Sequence, residues 1–202
     1  VIREDAARGY VMGVHGMIYS AVLPVPADAL EQAPAYRGLD AALRAAPFAP
    51  KIAWDIVAAR REKLHATLCG TLSIDSPPAL SGGMRDMLRS HGPFTVELRG
   101  LFSGNVNLGR LYFQLYPQAR NGSNVIHGVQ QALGRAPTQL YLVGLYNFND
   151  ELTVEETAAL QAILVQWQGR LLLRYVCEEI WILGSRDDLV LDSHIAERIR
   201  LT

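Results

Sequence analysis

Arg60-Arg61-Glu62-Lys63-Leu64-His65-Ala66-Thr67-Leu68 is a run of four charged residues that gives way to alternating apolar and polar side chains. Its continuation to Leu72 predicts a strand over 63–72. Successive side chains on a strand point to opposite faces, so His65 and Thr67 share one face while Leu64, Ala66 and Leu68 share the other. An imidazole can carry a proton near neutral pH, and a neighbouring hydroxyl can donate to an oxygen on which charge builds. Taken alone, the His-x-Thr tripeptide more often marks a satisfied core or interface histidine.

Working outward, Gly9 to Val22 reads as a first strand, rich in β-branched and aromatic residues and punctuated by Gly13 and Gly16. Leu39, Leu43 and Ala46 have the spacing of a short helix ended near Pro47. Downstream, Ser76-Pro77-Pro78 predicts the start of a helix running to about Ser90. Phe94 to Leu101 and Leu108 to Leu115 alternate as two antiparallel strands joined by Ser103-Gly104-Asn105-Val106-Asn107. A helix is expected over Asn121 to Gly134, capped by Asn121 or Ser123, then a strand over Gln139 to Phe148. Leu152-Thr153-Val154-Glu155-Glu156 opens the longest helix, with Leu160, Ile163, Leu164 and Trp167 on one stripe and Gly169 closing it. Strands around 171–176, 179–184 and 195–201 finish the chain. The strand-helix pair thus occurs twice, and His65 is as far from Pro77 as Tyr141 is from Thr153. The expectation is one α+β domain over residues 1–202, with two lobes built around strands 63–72 and 139–148.

The approach segment Lys51-Ile52-Ala53-Trp54-Asp55, followed by Arg60 to Leu68, resembles the first signature of the 2H phosphoesterase superfamily, which includes the RNA ligase-like cyclic phosphodiesterases. The resemblance in order of elements runs from about Gly9 to Leu201. It implies a two-lobed fold of antiparallel sheets with helices packed outside and a central groove. In that family each lobe contributes one H-x-T or H-x-S, and the two histidines act as base and acid on a phosphodiester without a metal. Carried over here, His65 is the acid-base residue, Thr67 is the phosphate donor, and the partner is a small cyclic nucleotide or RNA-end phosphodiester.

The second signature is missing. On the strand Gln139-Leu140-Tyr141-Leu142-Val143-Gly144-Leu145-Tyr146-Asn147-Phe148, Tyr141 and Val143 stand at the expected equivalents of His and Thr. Losing one of two acid-base groups costs about 10² to 10⁴ in rate, or roughly 3 to 5 kcal/mol. Three outcomes stay open: another residue moves the second proton, one transfer suffices, or the groove binds its ligand without turnover. A resemblance by accident, with unrelated chemistry, is the remaining alternative.

Candidates to complete the site are few. His15, beside Gly13 and Gly16, is the preferred outside histidine, since glycines let a ligand approach the backbone. His127 reads as a surface or helix-packing residue, and His91 and His194 read as solvated. Tyr141 could donate to a phosphate, although a phenol with pKa near 10 is a reluctant base. Arg110 and Tyr112 share a strand face and suit a phosphate and a nucleobase, or else form a solvent-facing pair. Arg60 and Arg61 are either a basic approach to the groove or an exposed loop.

Composition narrows the classes. With 202 residues, half of them hydrophobic and 19% charged, the chain can bury a large core without staples. A net charge of -1 gives no global pull toward duplex DNA or an anionic membrane. No apolar run reaches the roughly 18 residues of a membrane span. The charged start lacks the pattern of a secretory signal, and Cys69 and Cys177, far apart in apolar runs, read as buried thiols of a protein in a reducing cytoplasm. Neither G-x-x-x-x-G-K-[ST] nor G-x-G-x-x-G occurs, Ser103 is not in a G-x-S-x-G elbow, and no H-E-x-x-H pair is present. Glu178-Glu179 and Asp187-Asp188 are adjacent carboxylates that alternate across a strand, so no metal and no cofactor are expected.

Overall fold

A computed structural model of the chain describes residues 13–104 and 109–202. The chain begins with strand β1 (Val14–Pro24), then three helices, α1 (Ala27–Gln32), α2 (Pro34–Arg44) and α3 (Trp54–Ala59). Strand β2 (His65–Ile74) and helix α4 (Gly82–Ser90) follow. Next come the antiparallel pair β3 (Phe94–Ser103) and β4 (Arg110–Pro117), then the two-residue strands β5 (Ala119–Arg120) and β6 (Ser123–Asn124). Helix α5 (Val125–Ala132), strand β7 (Leu142–Asn147), helix α6 (Val154–Trp167) and strands β8 (Arg170–Cys177), β9 (Glu179–Asp187) and β10 (Ser193–Arg200) complete the order.

The strands form two four-stranded antiparallel sheets, β10-β9-β1-β2 and β7-β4-β3-β8, with β5-β6 as a small separate pair. The final two strands therefore return to the first sheet. Helices α4 and α5 cover that sheet, while α1, α2, α3 and α6 pack on the second. The buried face of each sheet joins one continuous core, from Leu23, Ala66 and Leu68 in the first to Leu98, Phe113 and Val143 in the second. The outermost strands β2 and β7 lie against each other where the sheets meet. No helix among the described residues is long and apolar enough to cross a membrane.

The α+β, two-sheet expectation holds, with adjustments at element ends. The first strand starts at Val14; residues 9–12 of the expected strand, and the turn residues Asn105 to Asn107 with Leu108, lie outside the described residues. Helix α4 starts only at Gly82, past the expected opening at Pro77 and Pro78, where the Ser81 hydroxyl caps it by accepting the Met84 amide at 3.1 Å. Helix α5 is capped by Asn124, not by Asn121 or Ser123. Asn121 and Gly122 instead take positive φ in the β5-β6 turn. Helices α1 and α3, six residues each, are too short for periodicity to reveal. Helix α6 follows its expected start through a complete capping box between Thr153 and Glu156. Glu156 also takes a 2.6 Å ion pair from Lys51.

Candidate active site

A groove of about 500 Å³ opens between the two sheets. Strand β2 lines one side with His65 and Thr67, whose alternate neighbours Ala66 and Leu68 are buried in the core. Strand β1 contributes Ser20 and Val22, and Val22 pairs with Thr67 across the ladder. The opposite side carries Leu142 and Gly144 from β7 and Arg110 and Tyr112 from β4. His15, at the start of β1, and Asp187 and Asp188, at the end of β9, also border the groove. Arg60 enters from the turn between α3 and β2.

His65 Nδ1 lies 2.6 Å from the Lys63 carbonyl. A carbonyl only accepts, so Nδ1 carries the proton and Nε2 holds the lone pair. Burial is the main reason that this imidazole is pushed down to about 4; the Lys63 carbonyl opposes the shift, and the charges of Arg60 and Arg110 add to it. The ring is therefore a neutral base at neutral pH. His15 is held alike, with Nδ1 at 2.7 Å from the Gly16 carbonyl, and its Nε2 is 3.6 Å from Asp188 Oδ1.

Arg60 is only 5% exposed, and its Nε and Nη1 have no hydrogen-bond partner among the described residues. An unsatisfied buried donor costs about 1 to 3 kcal/mol, more when charged. Burial, and then Arg110, lower the guanidinium to about 10, against the opposing pull of Asp187, so it stays charged. Asp187 does not pair with it: its two carboxylate oxygens accept the amides of Leu191 and Asp192. The Tyr112 hydroxyl is likewise buried and unpartnered among the described residues.

Arg110 is fixed more firmly. Its Nε donates to Asn147 Oδ1 at 2.8 Å and its Nη2 to the Asp188 carbonyl at 2.9 Å. On the way its stem crosses Gly144, where an added Cβ would stand 2.8 Å from Arg110 Cδ. The cross-strand pairing of Tyr112 with Gly144 sets that crossing.

Of the residues singled out from sequence, His15, Arg60, His65, Thr67, Arg110 and Tyr112 meet in this one groove. Tyr141 does not. It is 1% exposed, and its hydroxyl donates to the Thr138 carbonyl and accepts from Asn124 Nδ2 at 3.2 Å. The groove-facing pair on β7 is Leu142 and Gly144, so the expected equivalence of Tyr141 and Val143 with a second His and Thr is off by one residue. On a strand such a slip exchanges the two faces. Arg61 also leaves the site, paired on the surface with Asp28, Glu31 and Glu62. His127 approaches the Thr138 carbonyl, His91 packs over Gly128, and His194 stands edge-on to Tyr19. Asp187 and Asp188, expected to alternate across a strand, both border the groove; the fold-back of β9 that brings them there leaves no local sequence signal. Among the described residues no group of three or more His, Cys, Asp or Glu side chains is arranged to hold a metal ion.

Two antiparallel sheets with outer helices and a groove at their junction are the architecture of the 2H phosphoesterase-like fold. Among solved structures, the chain is similar to E. coli LigT complexed with phosphate, at a TM-score of 0.52 and 15% identity, covering 93% of this chain and 99% of that one. E. coli LigT complexed with 3'-AMP gives 0.53 at the same identity and coverage. TT0787 of Thermus thermophilus gives 0.51 at 13% identity, over 91% and 97% of the two chains. No family model matches the sequence, and no curated protein matches it.

Proposed function

We propose that the protein is a phosphoesterase of the 2H type, acting on a small cyclic nucleotide or RNA-end phosphodiester by metal-free acid-base catalysis. The observation that carries this reading is the His65-Thr67 pair sharing a groove with the Arg60 and Arg110 guanidiniums. His65 Nε2 takes the proton of the attacking water as its oxygen bonds to phosphorus. Thr67 donates to a nonbridging oxygen, and the two guanidiniums balance the charge that gathers on the phosphoryl oxygens. As the bond to the leaving sugar oxygen breaks, that oxygen takes a proton from Nε2 of the doubly protonated His15 ring beside Asp188, and the proton accepted by His65 is returned through solvent to restore both rings. The E. coli neighbour has been crystallised with phosphate and with 3'-AMP, which suits a nucleotide ligand here.

Leu142 and Gly144, where a second acid-base pair would face the groove, favour a second reading: a module that holds a nucleotide or a protein partner without turnover. Turnover of a panel of 2',3'-cyclic and 2',5'-linked nucleotides by wild type and His65→Ala separates the two. Activity that disappears in the variant supports the enzyme, and activity that persists in it rules out His65 as the acid-base group. Saturable nucleotide binding with no turnover by wild type selects the module.

A further inference from the structure

We propose that the Arg60-Arg110-Tyr112 corner of the groove is a subsite for a phosphomonoester dianion, so that the protein holds a terminal nucleotide phosphate more tightly than the corresponding phosphodiester. The inference rests on the reading of the groove as a phosphate site and adds which charge state it selects. Three observations carry it. Arg60 is a buried cation whose Nε and Nη1 lack any partner among the described residues. The neighbouring Tyr112 hydroxyl is a second buried group without one. Neither Arg60 nor Arg110 has a carboxylate within ion-pair distance among the described residues, although both border the same groove.

The nearby acids do not take up these donors, although Asp187 acts on Arg60 through space. Asp187 is occupied by two backbone amides, and Asp188 Oδ1 lies beside His15. His65 is neutral and adds no charge of its own. Three buried donors without a partner among the described residues, Arg60 Nε, Arg60 Nη1 and the Tyr112 hydroxyl, thus belong to side chains that line one groove. A monoester offers three terminal oxygens for the forked donors, where a diester offers two. On the strand opposite His65 the groove is lined by Leu142 and Gly144, and Arg110 lies across Gly144 and brings a charge to that side.

Calorimetric titration with inorganic phosphate, adenosine 3'-monophosphate and its methyl diester at pH 8 tests this directly on the wild type. The monoester is expected to bind at least about tenfold more tightly than the methyl diester, and its affinity to fall below pH 6 as the dianion takes up a proton. Arg60→Met should reduce monoester affinity about 10- to 100-fold while changing the diester less than about fivefold, with an unchanged circular dichroism spectrum. Equal wild-type affinity for monoester and diester overturns the proposal, whether or not the variant folds. The same titration on His65→Ala separates the two readings: a retained monoester preference without turnover keeps the subsite and isolates the question of catalysis. Loss of the preference in a folded His65→Ala would show that selection lies at His65 and would sink the subsite.

Discussion

Strands β2 and β7 lie against each other at the junction of the two sheets, and each turns an i, i+2 pair of side chains into one groove. On β2 the pair is His65 and Thr67; on β7 it is Leu142 and Gly144. Their buried faces are alike, Ala66 and Leu68 on one strand and Val143 and Leu145 on the other, because both must pack on the common core. The groove faces differ in chemistry, where packing does not choose the residue. The shared fold therefore constrains the core face of each strand, and the groove face is free to gain or lose chemistry independently on the two sides. On the β7 side Arg110 fills the room that Gly144 leaves.

The largest expected effect comes from removing chemistry on the β2 side. His65→Ala or His65→Gln should lower kcat on a responsive cyclic nucleotide by about 10² to 10⁴, while Leu142→Ala changes it less than about threefold. A folded His65 variant with undiminished kcat would end the assignment of different roles to the two strands.

On the β7 side, Gly144→Ala places a methyl group 2.8 Å from Arg110 Cδ. Arg110 must then shift and strain its bonds to Asn147 and Asp188, a cost of about 1 to 3 kcal/mol in unfolding free energy. In an Arg110→Ser background the same substitution should cost much less, so a double-mutant cycle in denaturant should return a coupling above about 0.5 kcal/mol. Additive effects would mean that Gly144 is not there to make room for Arg110.

The asymmetry should also appear as a pH dependence carried by one side alone. Below the unfolded imidazole's pKa near 6.5, the unfolded chain binds a proton at His65 that the native chain, at about 4, does not. The unfolded state therefore gains protons first, and stability falls as pH drops from 6.5 toward 4. His65→Gln should remove that fall, a difference of the order of 2 kcal/mol between pH 7.5 and 4.5 in urea unfolding. In kcat/KM, which reports the free protein, the acid limb should lie below pH 5 and move upward in Arg60→Met, since that cation helps to hold the imidazole neutral. A stability difference that does not vary with pH would place His65 in an ordinary aqueous environment.

How much of this was legible in the sequence depended on whether a signal was local. The Lys63 to Leu72 alternation carries His65 and Thr67 to one face without reference to anything distant, and Arg110 with Tyr112 obeys the same period. The capping box at Thr153 and Glu156 is equally local. The phase of β7 was not, because Gln139 to Phe148 is apolar at most positions on both faces and alternation gives no phase. Tyr141 stands out as a polar-tipped residue of that strand, and its tip is spent on Thr138 and Asn124 inside the fold. Arg60 and Arg61 are adjacent and chemically identical; only the turn between α3 and β2 sends the first to the groove and the second to surface carboxylates. Asp187 and Asp188 reach the site because β9 pairs with β1, a contact between opposite ends of the sequence that no motif announces.

The smallest expected effect tests the register of β7 itself. Tyr141 donates to the Thr138 carbonyl and accepts from Asn124 in the buried layer behind the strand, where burial also raises its pKa. Tyr141→Phe keeps the ring and its packing and removes one hydroxyl, so the cost is about 1 kcal/mol of stability. Because the hydroxyl is on the far side of β7 from the groove, nucleotide affinity and kcat should change less than about twofold. Leu142→Tyr, one residue along, turns a phenol into the groove and should weaken nucleotide binding by steric occupation. If instead Tyr141→Phe weakens ligand binding and Leu142→Tyr is silent, the faces of β7 are exchanged. The Tyr141-Val143 pair would then be the true counterpart of His65 and Thr67.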